Sequence, residues 1–453
     1  MSPGLIIAAP CSGGGKTTLT LGLLRALARR NAGAVSAKVG PDYIDPAFHA
    51  AASGAPCLNL DTWAMSAGRI AVLLGRQAAR GRLLVVEGVM GLFDGAPADG
   101  VGGDGSTASL AAQTGLPVVL VVDASGQAAS AAAVVRGFAT HRPDVTVAAV
   151  VFTKVGPGRH VDILRRSMAD SLPHIPVIGC LPRLKDLGLP SRHLGLVQAL
   201  EHPDLQTFLD TAADAVEAHL DLDALIALAG PVGLAAPRVG TGNDLAGVVM
   251  PPLGARIAVA RDAAFAFAYP ALLDDWMARG VTVVPFSPLA DDAPDTMADA
   301  VYLPGGYPEL HAGRLAANSR FLSGVRAAAA RGATVFGECG GYMVLGEALT
   351  DADGTVHPMA GLLPLHTSFA TRRLHLGYRV STVLADSPLG AAGTVYRGHE
   401  FHYATTARED HAAAAPLFHS RDAVGAEQGS QGLRRGGVMG SFIHLIATAD
   451  ETI

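Results

Sequence analysis

Cysteine is scarce in this sequence: there are four in 453 residues, and no two of them form a Cys-x-x-Cys pair. This spacing argues against a disulfide framework and against a structural zinc site. Aromatic residues make up 5% and charged residues 16% of the chain, whereas 49% of it is hydrophobic. Such a composition excludes an intrinsically disordered chain and suits an α/β protein with small packing residues.

Long hydrophobic runs and blocks of basic charge are also missing. The longest apolar stretches, such as 117–122, have the length of a strand, well below the ~20 residues of a membrane span. The formal net charge is -6, and without a basic cluster we expect neither nucleic acid nor a membrane as a partner. The first residues lack the charged segment of a signal peptide, so we predict a cytoplasmic protein.

Short apolar runs alternate with helical stretches in two parts of the chain. We predict strands at 5–9, 83–87, 118–123, 145–152, 256–260, 281–286, 300–303 and 334–337, and helices over 16–30 and 128–140. Nearly continuous apolar strands that alternate with helices indicate doubly wound parallel sheets, and hence the α/β class. Residues 221–254 are rich in glycine and proline without a period, which predicts a linker between domains at 1–220 and 255–453.

A glycine-rich loop follows the first predicted strand and opens the first predicted helix. Its backbone N–H groups and the helix N-terminus can hold phosphates, while Lys16 can reach the outer phosphates and Thr17 can offer a hydroxyl to Mg²⁺. The loop is a variant, because Pro10 stands where the strict pattern has its first glycine. The sequence therefore predicts nucleotide binding through Gly13, Gly14, Gly15, Lys16, Thr17 and Thr18.

Acidic residues lie near the expected phosphate position. Glu87 ends a predicted strand and Asp94 follows it, while Asp42 and Asp45 belong to a second polar segment. Ligands of doubly wound sheets bind beyond the carboxyl ends of the strands. Each carboxylate alone would more often be a turn or helix cap, but together with the loop they favour metal and substrate roles.

The segment 335–343 reads as a strand, a sharp turn and a helix, with Cys339 at the turn. The two glycines that follow favour a nucleophile over a buried apolar cysteine. We expect the helix N-terminus and a nearby histidine to lower the pKa of the thiol. The backbone N–H groups of Gly305 and Gly306, which follow another strand, can hold an oxyanion.

His444 is the candidate base for this cysteine. The competing histidines are His366, His375, His399 and His402. The segment 397–403 is dense in polar groups, and two interpretations of it stay open. It lines a pocket, or it is an ordinary strand with one polar face.

Five ordered segments resemble one enzyme family, the a,c-diamide synthases of cobalamin biosynthesis, over essentially the whole chain. They are SGGGKTT at 12–18, KVGPDYID at 38–45, VEGVMGLFDG at 86–95, LPSRHLGL at 189–196 and GECGGY at 337–342. The resemblance implies a dethiobiotin-synthetase-like P-loop domain joined to a class I glutamine amidotransferase domain. It also implies a ligase that uses ATP, Mg²⁺ and glutamine to amidate the a and c acetate side chains of hydrogenobyrinic or cobyrinic acid.

The resemblance assigns roles to residues by matching position. Cys339 attacks the amide of glutamine and is activated by His444, and the released ammonia displaces phosphate from an acyl phosphate made in the first domain. Lys16 and Thr17 bind ATP and Mg²⁺. Glu87 and one of the Asp42/Asp45 pair support the metal, which makes Thr17, Asp45 and Glu87 the expected ligands. The positions tied to substrate handling and catalysis are Asp42, Tyr43, Ile44, Glu87 and Asp94.

Two positions depart from related proteins. Many class I amidotransferases have an acidic residue two positions after the histidine, where this chain has Ile446. Related nucleotide domains read adenine with an asparagine, and the comparable place here is Thr153, which leaves the base selectivity open.

Rival functions also stay open. Cobyric acid synthase and sirohydrochlorin a,c-diamide synthase share the architecture, although segments 42–45 and 190–196 fit the a,c-specific enzymes better. Hydrogenobyrinic acid is slightly favoured over cobyrinic acid. A non-enzymatic ATP-driven partitioning or assembly switch would have a lysine where this loop has Cys11, and would have no need of the cysteine elbow. A homodimer is one option for the oligomeric state.

Overall fold

The computed structural model describes residues 2–183, 187, 191–192, 195–232 and 250–449. The chain divides into two compact units, Met1–Ala246 and Gly247–Ile453. None of the helices in the described ranges has the length and apolar character that crossing a membrane requires.

The first unit alternates strands and helices. Its described strands are β1 (Pro3–Ala8), β2 (Ala34–Val39), β3 (Leu58–Leu60), β4 (Leu83–Glu87), β5 (Val118–Asp123), β6 (Val147–Val155), β7 (Val177–Pro182), β8 (Ser191–Arg192), β9 (Gly195–Leu196) and β10 (Gly230–Pro231). Its described helices are α1 (Lys16–Arg29), α2 (Asp45–Ser53), α3 (Ala67–Arg80), α4 (Thr107–Thr114), α5 (Ala131–Thr140), α6 (Arg159–Ser171), α7 (Leu205–His219) and α8 (Leu222–Leu228).

The main sheet of this unit has the strand order β3-β2-β4-β1-β5-β6-β7, and these strands are parallel. Strands β4 and β5 consist almost entirely of buried aliphatic residues, as expected for parallel strands covered on both faces. Because β1 pairs with both β4 and β5, the chain changes direction across the sheet at β1. Ligands of such sheets bind at that switch point. The predicted α/β class with a doubly wound sheet is confirmed.

Two segments that sequence analysis singled out, 221–254 and 189–196, are only partly covered by the described residues. Helix α8 and strand β10 lie within the stretch 221–254 that we predicted as a linker, and β10 pairs antiparallel with β1. The start of that stretch therefore belongs to the first unit, since Gly230 and Pro231 add a short strand to its sheet. Residues 233–249 of the stretch lie outside the described residues, as do 189–190 and 193–194 of the segment LPSRHLGL.

The second unit combines parallel and antiparallel strands. Its described strands are β11 (Arg256–Ala260), β12 (Thr282–Phe286), β13 (Ala300–Leu303), β14 (Thr334–Glu338), β15 (Ala348–Thr350), β16 (Val356–Pro358), β17 (Leu365–Ser368), β18 (His375–Val383), β19 (Val395–His402), β20 (Thr405–Glu409), β21 (Ala415–Asp422), β22 (Glu427–Arg435), β23 (Val438–Ser441) and β24 (Ile443–Thr448). Its described helices are α9 (Pro270–Ala278), α10 (Ala312–Ala317), α11 (Ser319–Ala330) and α12 (Gly340–Leu345).

The large sheet of this unit has the order β12-β11-β13-β14-β23-β22-β21-β18-β19-β24. The run from β12 to β23 is parallel, and the remaining pairs are antiparallel. A smaller sheet has the order β16-β15-β17-β20. The parallel strands β11, β13 and β14 match the predicted apolar runs. Apart from the segment 397–403, for which a strand was one of two interpretations, sequence analysis missed the antiparallel strands, because polar residues interrupt their apolar pattern, as in β18.

Candidate functional site

The glycine-rich loop of the first unit lies between β1 and α1, at the switch point of the sheet. Gly13 and Gly15 have φ values of 80° and 87°, which residues with a side chain rarely adopt. Strand β6 supports the loop from the other side: Thr153 Oγ1 donates to the carbonyl oxygen of Gly14 at 2.7 Å, and Lys154 Nζ donates to that of Gly13 at 3.1 Å. Thr153 therefore contacts the loop backbone here.

Lys16 begins α1, and its ammonium lies beside the turn that follows β4. Lys16 Nζ donates to the carbonyl oxygen of Met90 at 2.9 Å, and Met90 has the unusual φ of 47° for a non-glycine residue. Burial and the nearby Lys38 lower the pKa of Lys16 to about 8. A bound phosphate would place negative charge beside the buried ammonium of Lys16 and stabilise its charged form. This arrangement suits a phosphate-binding lysine.

Glu87, at the end of β4, is the centre of a buried polar cluster. Its Oε1 accepts from Thr17 Oγ1 at 2.6 Å and from Lys38 Nζ at 3.0 Å. Its Oε2 lies 2.6 Å from His49 Nε2, and Lys38 Nζ also donates to Asp45 Oδ2 at 2.6 Å. We call Thr17, Lys38, Asp45, His49 and Glu87 the Glu87 cluster. It brings together the three side chains that the resemblance assigned to a metal.

Opposite charges inside the Glu87 cluster determine its protonation. Burial opposes the carboxylate of Glu87, but Lys38 and His49 outweigh it and lower the pKa of Glu87. Burial also opposes the ammonium of Lys38, yet Asp45 and Glu87 raise its pKa. For Asp45, burial and the neighbouring Asp42 raise the pKa to about 6. At neutral pH the cluster thus holds a lysine ammonium between two carboxylates.

Sequence analysis assigned no role to Lys38 or His49. Lys38 lies in the fully buried strand β2, and His49 in α2 is also buried. A lysine within a mostly apolar strand was the available signal, because a buried ammonium needs carboxylate partners. His49 stands among alanines and gave no comparable signal.

The other acidic candidates have local structural contacts. Asp42 Oδ1 accepts from the backbone N–H groups of Ile44 and Asp45 at 2.8 and 3.0 Å, directly before α2. Asp94 is exposed, and its Oδ2 accepts from the N–H of Gly91 at 2.8 Å. Tyr43 and Ile44 are buried, and Thr18 lies in the first turn of α1. Among the described hydrogen bonds, none joins Asp42 or Asp94 to a side chain of the Glu87 cluster.

In the second unit, Cys339 lies at a tight turn between β14 and α12. Its φ of 48° and ψ of -103° are unusual for a residue with a side chain, and its backbone N–H donates to the carbonyl oxygen of Ser441 at 2.8 Å. A side chain at Gly341 would collide with the backbone of Leu303. The expected order of strand, sharp turn and helix is confirmed, and close packing explains the glycine after the turn.

Gly305 brings the remaining parts of this site together. A Cβ added to Gly305 would lie under 3.0 Å from Cε1 of His444, 3.1 Å from its Nε2 and 3.4 Å from Cβ of Cys339. A Cβ added to Gly340 would lie 3.0 Å from the backbone nitrogen of Gly306. The structure therefore places Cys339, His444, Gly305 and Gly306 around one point, which suits a thiol nucleophile with a base and nearby N–H donors.

The expectation that the thiol pKa is lowered was wrong. Burial is the main cause that raises the pKa of Cys339, and Glu309 adds to it. Burial also lowers the pKa of His444 to about 3, with His399 and His402 contributing. The short helix α12 does not offset the loss of water around the thiolate, so the free site holds a neutral thiol beside a neutral imidazole.

A carboxylate that sequence analysis missed connects the segments that carry Cys339 and His444. Glu338 is buried, its Oε1 accepts from the backbone N–H of Leu445 at 3.0 Å, and its Oε2 accepts from Tyr302 Oη. Burial raises the pKa of Glu338 to about 7. Because Glu338 precedes Cys339 and Leu445 follows His444, this hydrogen bond connects the turn at Cys339 to the strand that contains His444. Ile446, by contrast, is part of the apolar core.

The competing histidines take other places. His366 Nε2 lies 2.9 Å from Thr350 Oγ1. His399 pairs with His444 across β19 and β24, while His375 and His402 stack on each other. Residues 397–402 belong to strand β19, in which buried and partly buried residues alternate. Polar side chains occur on both faces of this strand, with Glu400 and His402 buried and Arg397 and His399 partly buried.

The chain is similar to known proteins over almost its whole length. Residues 5–197 match the family model of the CobQ/CobB/MinD/ParA nucleotide binding domain, and residues 256–452 match that of the CobB/CobQ-like glutamine amidotransferase domain. The hydrogenobyrinate a,c-diamide synthase of Brucella anthropi is 55% identical over 450 residues, which are 99% of each chain. The protein of the same name from Rhodobacter capsulatus is 54% identical over 444 residues, which are 98% of each chain.

Proposed function

This chain belongs to the family of hydrogenobyrinate a,c-diamide synthases, and from that premise we propose that it amidates the a and c acetate side chains of hydrogenobyrinic acid, with ATP as the energy source and glutamine as the nitrogen donor. One observation carries the proposal. A single chain holds a phosphate loop whose Thr17 donates a hydrogen bond to Glu87, and a turn that places Cys339 beside His444 and Gly305. The first site suits phosphoryl transfer and the second suits acyl transfer.

We infer that the second unit releases ammonia from glutamine. The neutral imidazole of His444 accepts the thiol proton of Cys339 as the sulfur attacks the amide carbon. Backbone N–H groups near Gly305 and Gly306 stabilise the negative oxygen that forms. The proton then passes to the leaving nitrogen, the C–N bond breaks, and a glutamyl thioester remains, which water hydrolyses.

We infer that the first unit activates the acceptor. An acetate oxygen of the corrinoid attacks the γ-phosphorus of ATP, the bond to ADP breaks, and an acyl phosphate forms. Ammonia attacks its carbonyl carbon, and inorganic phosphate leaves with the former acetate oxygen. Lys16 and Lys38 supply positive charge next to the reacting groups, where phosphoryl transfer depends on positioning and charge stabilisation.

The donor set of the Glu87 cluster fits Mg²⁺. The hydroxyl of Thr17 and the carboxylates of Asp45 and Glu87 are hard oxygen ligands, which this ion prefers. When bound, Mg²⁺ supplies charge compensation for the phosphate oxygens. His49 holds Oε2 of Glu87, and this contact leaves Oε1 directed at Thr17 and Lys38.

The test is mass spectrometry of the products after incubation with ATP, Mg²⁺ and glutamine, with hydrogenobyrinic and cobyrinic acid in separate reactions. Two amidations of hydrogenobyrinic acid support the proposal. Amidation of cobyrinic acid alone would move the substrate to the cobalt-containing corrinoid. If folded protein hydrolyses ATP but amidates neither acid, the proposed function is wrong. We also propose that the residues to which the resemblance assigns roles act in those roles and that the protein is cytoplasmic; a homodimer is one option for its oligomeric state.

A further inference from the structure

Three metal-binding side chains share one face of a strand pair in the second unit. Strands β18 and β19 are antiparallel, and His375 pairs with His402. Glu400 is two residues before His402, and residues two apart in a strand project from the same face. Strand pairing thus places His375, Glu400 and His402 side by side.

The donor atoms of these side chains are close to each other. One ligand atom from each of His375, Glu400 and His402 lies within 4.8 Å of the other two. His402 Nε2 lies 2.9 Å from Glu400 Oε1. Ligands of a tetrahedral Zn²⁺ ion are about 3.3 Å apart, given metal–ligand bonds of about 2.0–2.1 Å. The rings of His375 and His402 are stacked with centroids 4.7 Å apart, so a shared ion requires the ring of His375 to turn until one of its nitrogens faces the same point as Glu400 and His402.

Contacts with neighbouring groups orient two of these side chains, His402 and Glu400, as outer contacts orient the ligands in metal sites. His402 has its other ring nitrogen, Nδ1, 3.1 Å from the carbonyl oxygen of Ala404, which places a proton on Nδ1. Its Nε2 faces Glu400 Oε1, and a metal ion would replace the proton between these two atoms. Arg379 donates to Glu400 Oε2 from Nε at 2.8 Å and from Nη2 at 2.7 Å, which leaves Oε1 facing His402. Such outer contacts orient histidine and carboxylate ligands in metal sites.

We propose that His375, Glu400 and His402 form a binding site for a divalent transition-metal ion such as Zn²⁺. Two imidazoles and one carboxylate favour this class of ion over Mg²⁺. Glu400 and His402 are buried and His375 is partly exposed, so the ion enters from the side of His375. The positive charge of Arg379 repels a metal cation, so we expect weaker binding than at a site of the same ligands without a neighbouring guanidinium.

The proposed ion would lie beside the strand that carries the catalytic histidine. Glu400 pairs with Ile443 across β19 and β24, and the ring of His402 stacks on Phe442 with centroids 3.9 Å apart. Occupation of the site would therefore restrain the segment next to His444. This proposal does not depend on the identity of the corrinoid, since metal binding is measured without substrate.

Binding is measured by titrating the chelator-treated full-length protein with Co²⁺ and following the visible absorption bands of tetrahedral Co²⁺. Excess Mg²⁺ is present to occupy oxygen sites, and Zn²⁺ is then added as a competitor. We expect one equivalent of Co²⁺ per chain, displaced by Zn²⁺, and at least a tenfold weaker affinity in His375→Ala and His402→Ala. Weak octahedral absorption alone, or unchanged binding in both variants, would overturn the proposal.

Two controls separate this site from others. His357→Ala removes a histidine that pairs with Asp351 at 2.7 Å, and it is expected to bind Co²⁺ as the unaltered protein does. Cys339→Ser is also expected to keep the absorption bands, whereas their loss would show that the thiol is the ligand and refute the site. Thermal melts of His375→Ala without metal show whether lost binding reflects lost folding, and Glu400→Gln gives an independent variant with nearly the same shape.

Discussion

The replacement Gly305→Ala tests whether Gly305, Cys339 and His444 form one working site. Gly305 does not have the positive φ that favours glycine, so alanine fits its backbone. The new methyl group, however, would lie under 3.0 Å from Cε1 of His444 and 3.1 Å from its Nε2, whereas ordinary contact begins at 3.4 Å. His444 is fully buried, and the ring must move by roughly 1 Å in a packed interior.

A shift of this size has a predictable effect on catalysis. Misplacement of a catalytic group by ~1 Å costs on the order of 100-fold in rate, which corresponds to ~2.7 kcal/mol of transition-state stabilisation. Overpacking adds roughly 1–3 kcal/mol of destabilisation. We therefore expect glutamine-dependent amidation to fall about 100-fold and the melting temperature to fall by several degrees, while amidation with added ammonium persists.

The assay compares initial rates with glutamine and with ammonium in the same preparation, together with a thermal melt. The matched control is Gly313→Ala in α10, where the nearest atom to the new Cβ is 3.5 Å away and alanine favours a helix over glycine by roughly 0.5–1 kcal/mol. It should leave both rates unchanged. A glutamine-dependent rate within threefold of normal in Gly305→Ala would refute the placement of His444 against Gly305.

Four further predictions concern both sites. Cys339→Ser should reduce glutamine-dependent amidation by roughly 10³-fold or more and keep the ammonium-dependent rate; loss of both in a folded variant would contradict the division of labour. Asp45→Asn and Glu87→Gln should each lower both rates by ~100-fold or more, and normal ammonium-dependent turnover would remove them from the phosphoryl-transfer site. His49→Ala should raise the Mg²⁺ concentration needed for half-maximal rate, because Glu87 loses the contact that orients it; an unchanged Mg²⁺ requirement would refute the positioning role. Since the pKa of Lys16 is lowered to about 8, its ammonium is lost as pH rises through that value, and calorimetry should show weaker ATP binding above about pH 8; constant affinity up to pH 10 would disprove this.

Sequence patterns predicted the strands and the loop whose positions are marked by neighbouring residues in the chain. The strands at 83–87 and 118–123 have the predicted bounds because each is a continuous apolar run that ends at an acidic residue. The glycine-rich loop was recognisable because glycines before a lysine at a helix start have few other uses. The segments 397–402 and 427–435 belong to antiparallel strands, whose length is set by pairing partners distant in sequence.

The Glu87 cluster shows where sequence reasoning reached its limit. The carboxylates could be proposed from their positions at strand ends, but Lys38 finds its partners on β4 and at the start of α2. The position of Lys38 between Asp45 and Glu87 follows from tertiary packing, and a local sequence pattern does not predict it. His49 was missed for the same reason, since its contact with Glu87 joins residues on separate elements.

The two buried sites differ in charge state because only the Glu87 cluster has opposite charges next to its ionisable groups. In the Glu87 cluster, burial is outweighed by opposite charges within hydrogen-bond distance, so Glu87 and Lys38 stay ionised. Burial and nearby carboxylates both raise the pKa of Cys339, and burial together with His399 and His402 lowers the pKa of His444. The neutral thiol is a weaker nucleophile than a thiolate. In the proposed mechanism, proton transfer from Cys339 to His444 therefore accompanies attack on the amide of glutamine.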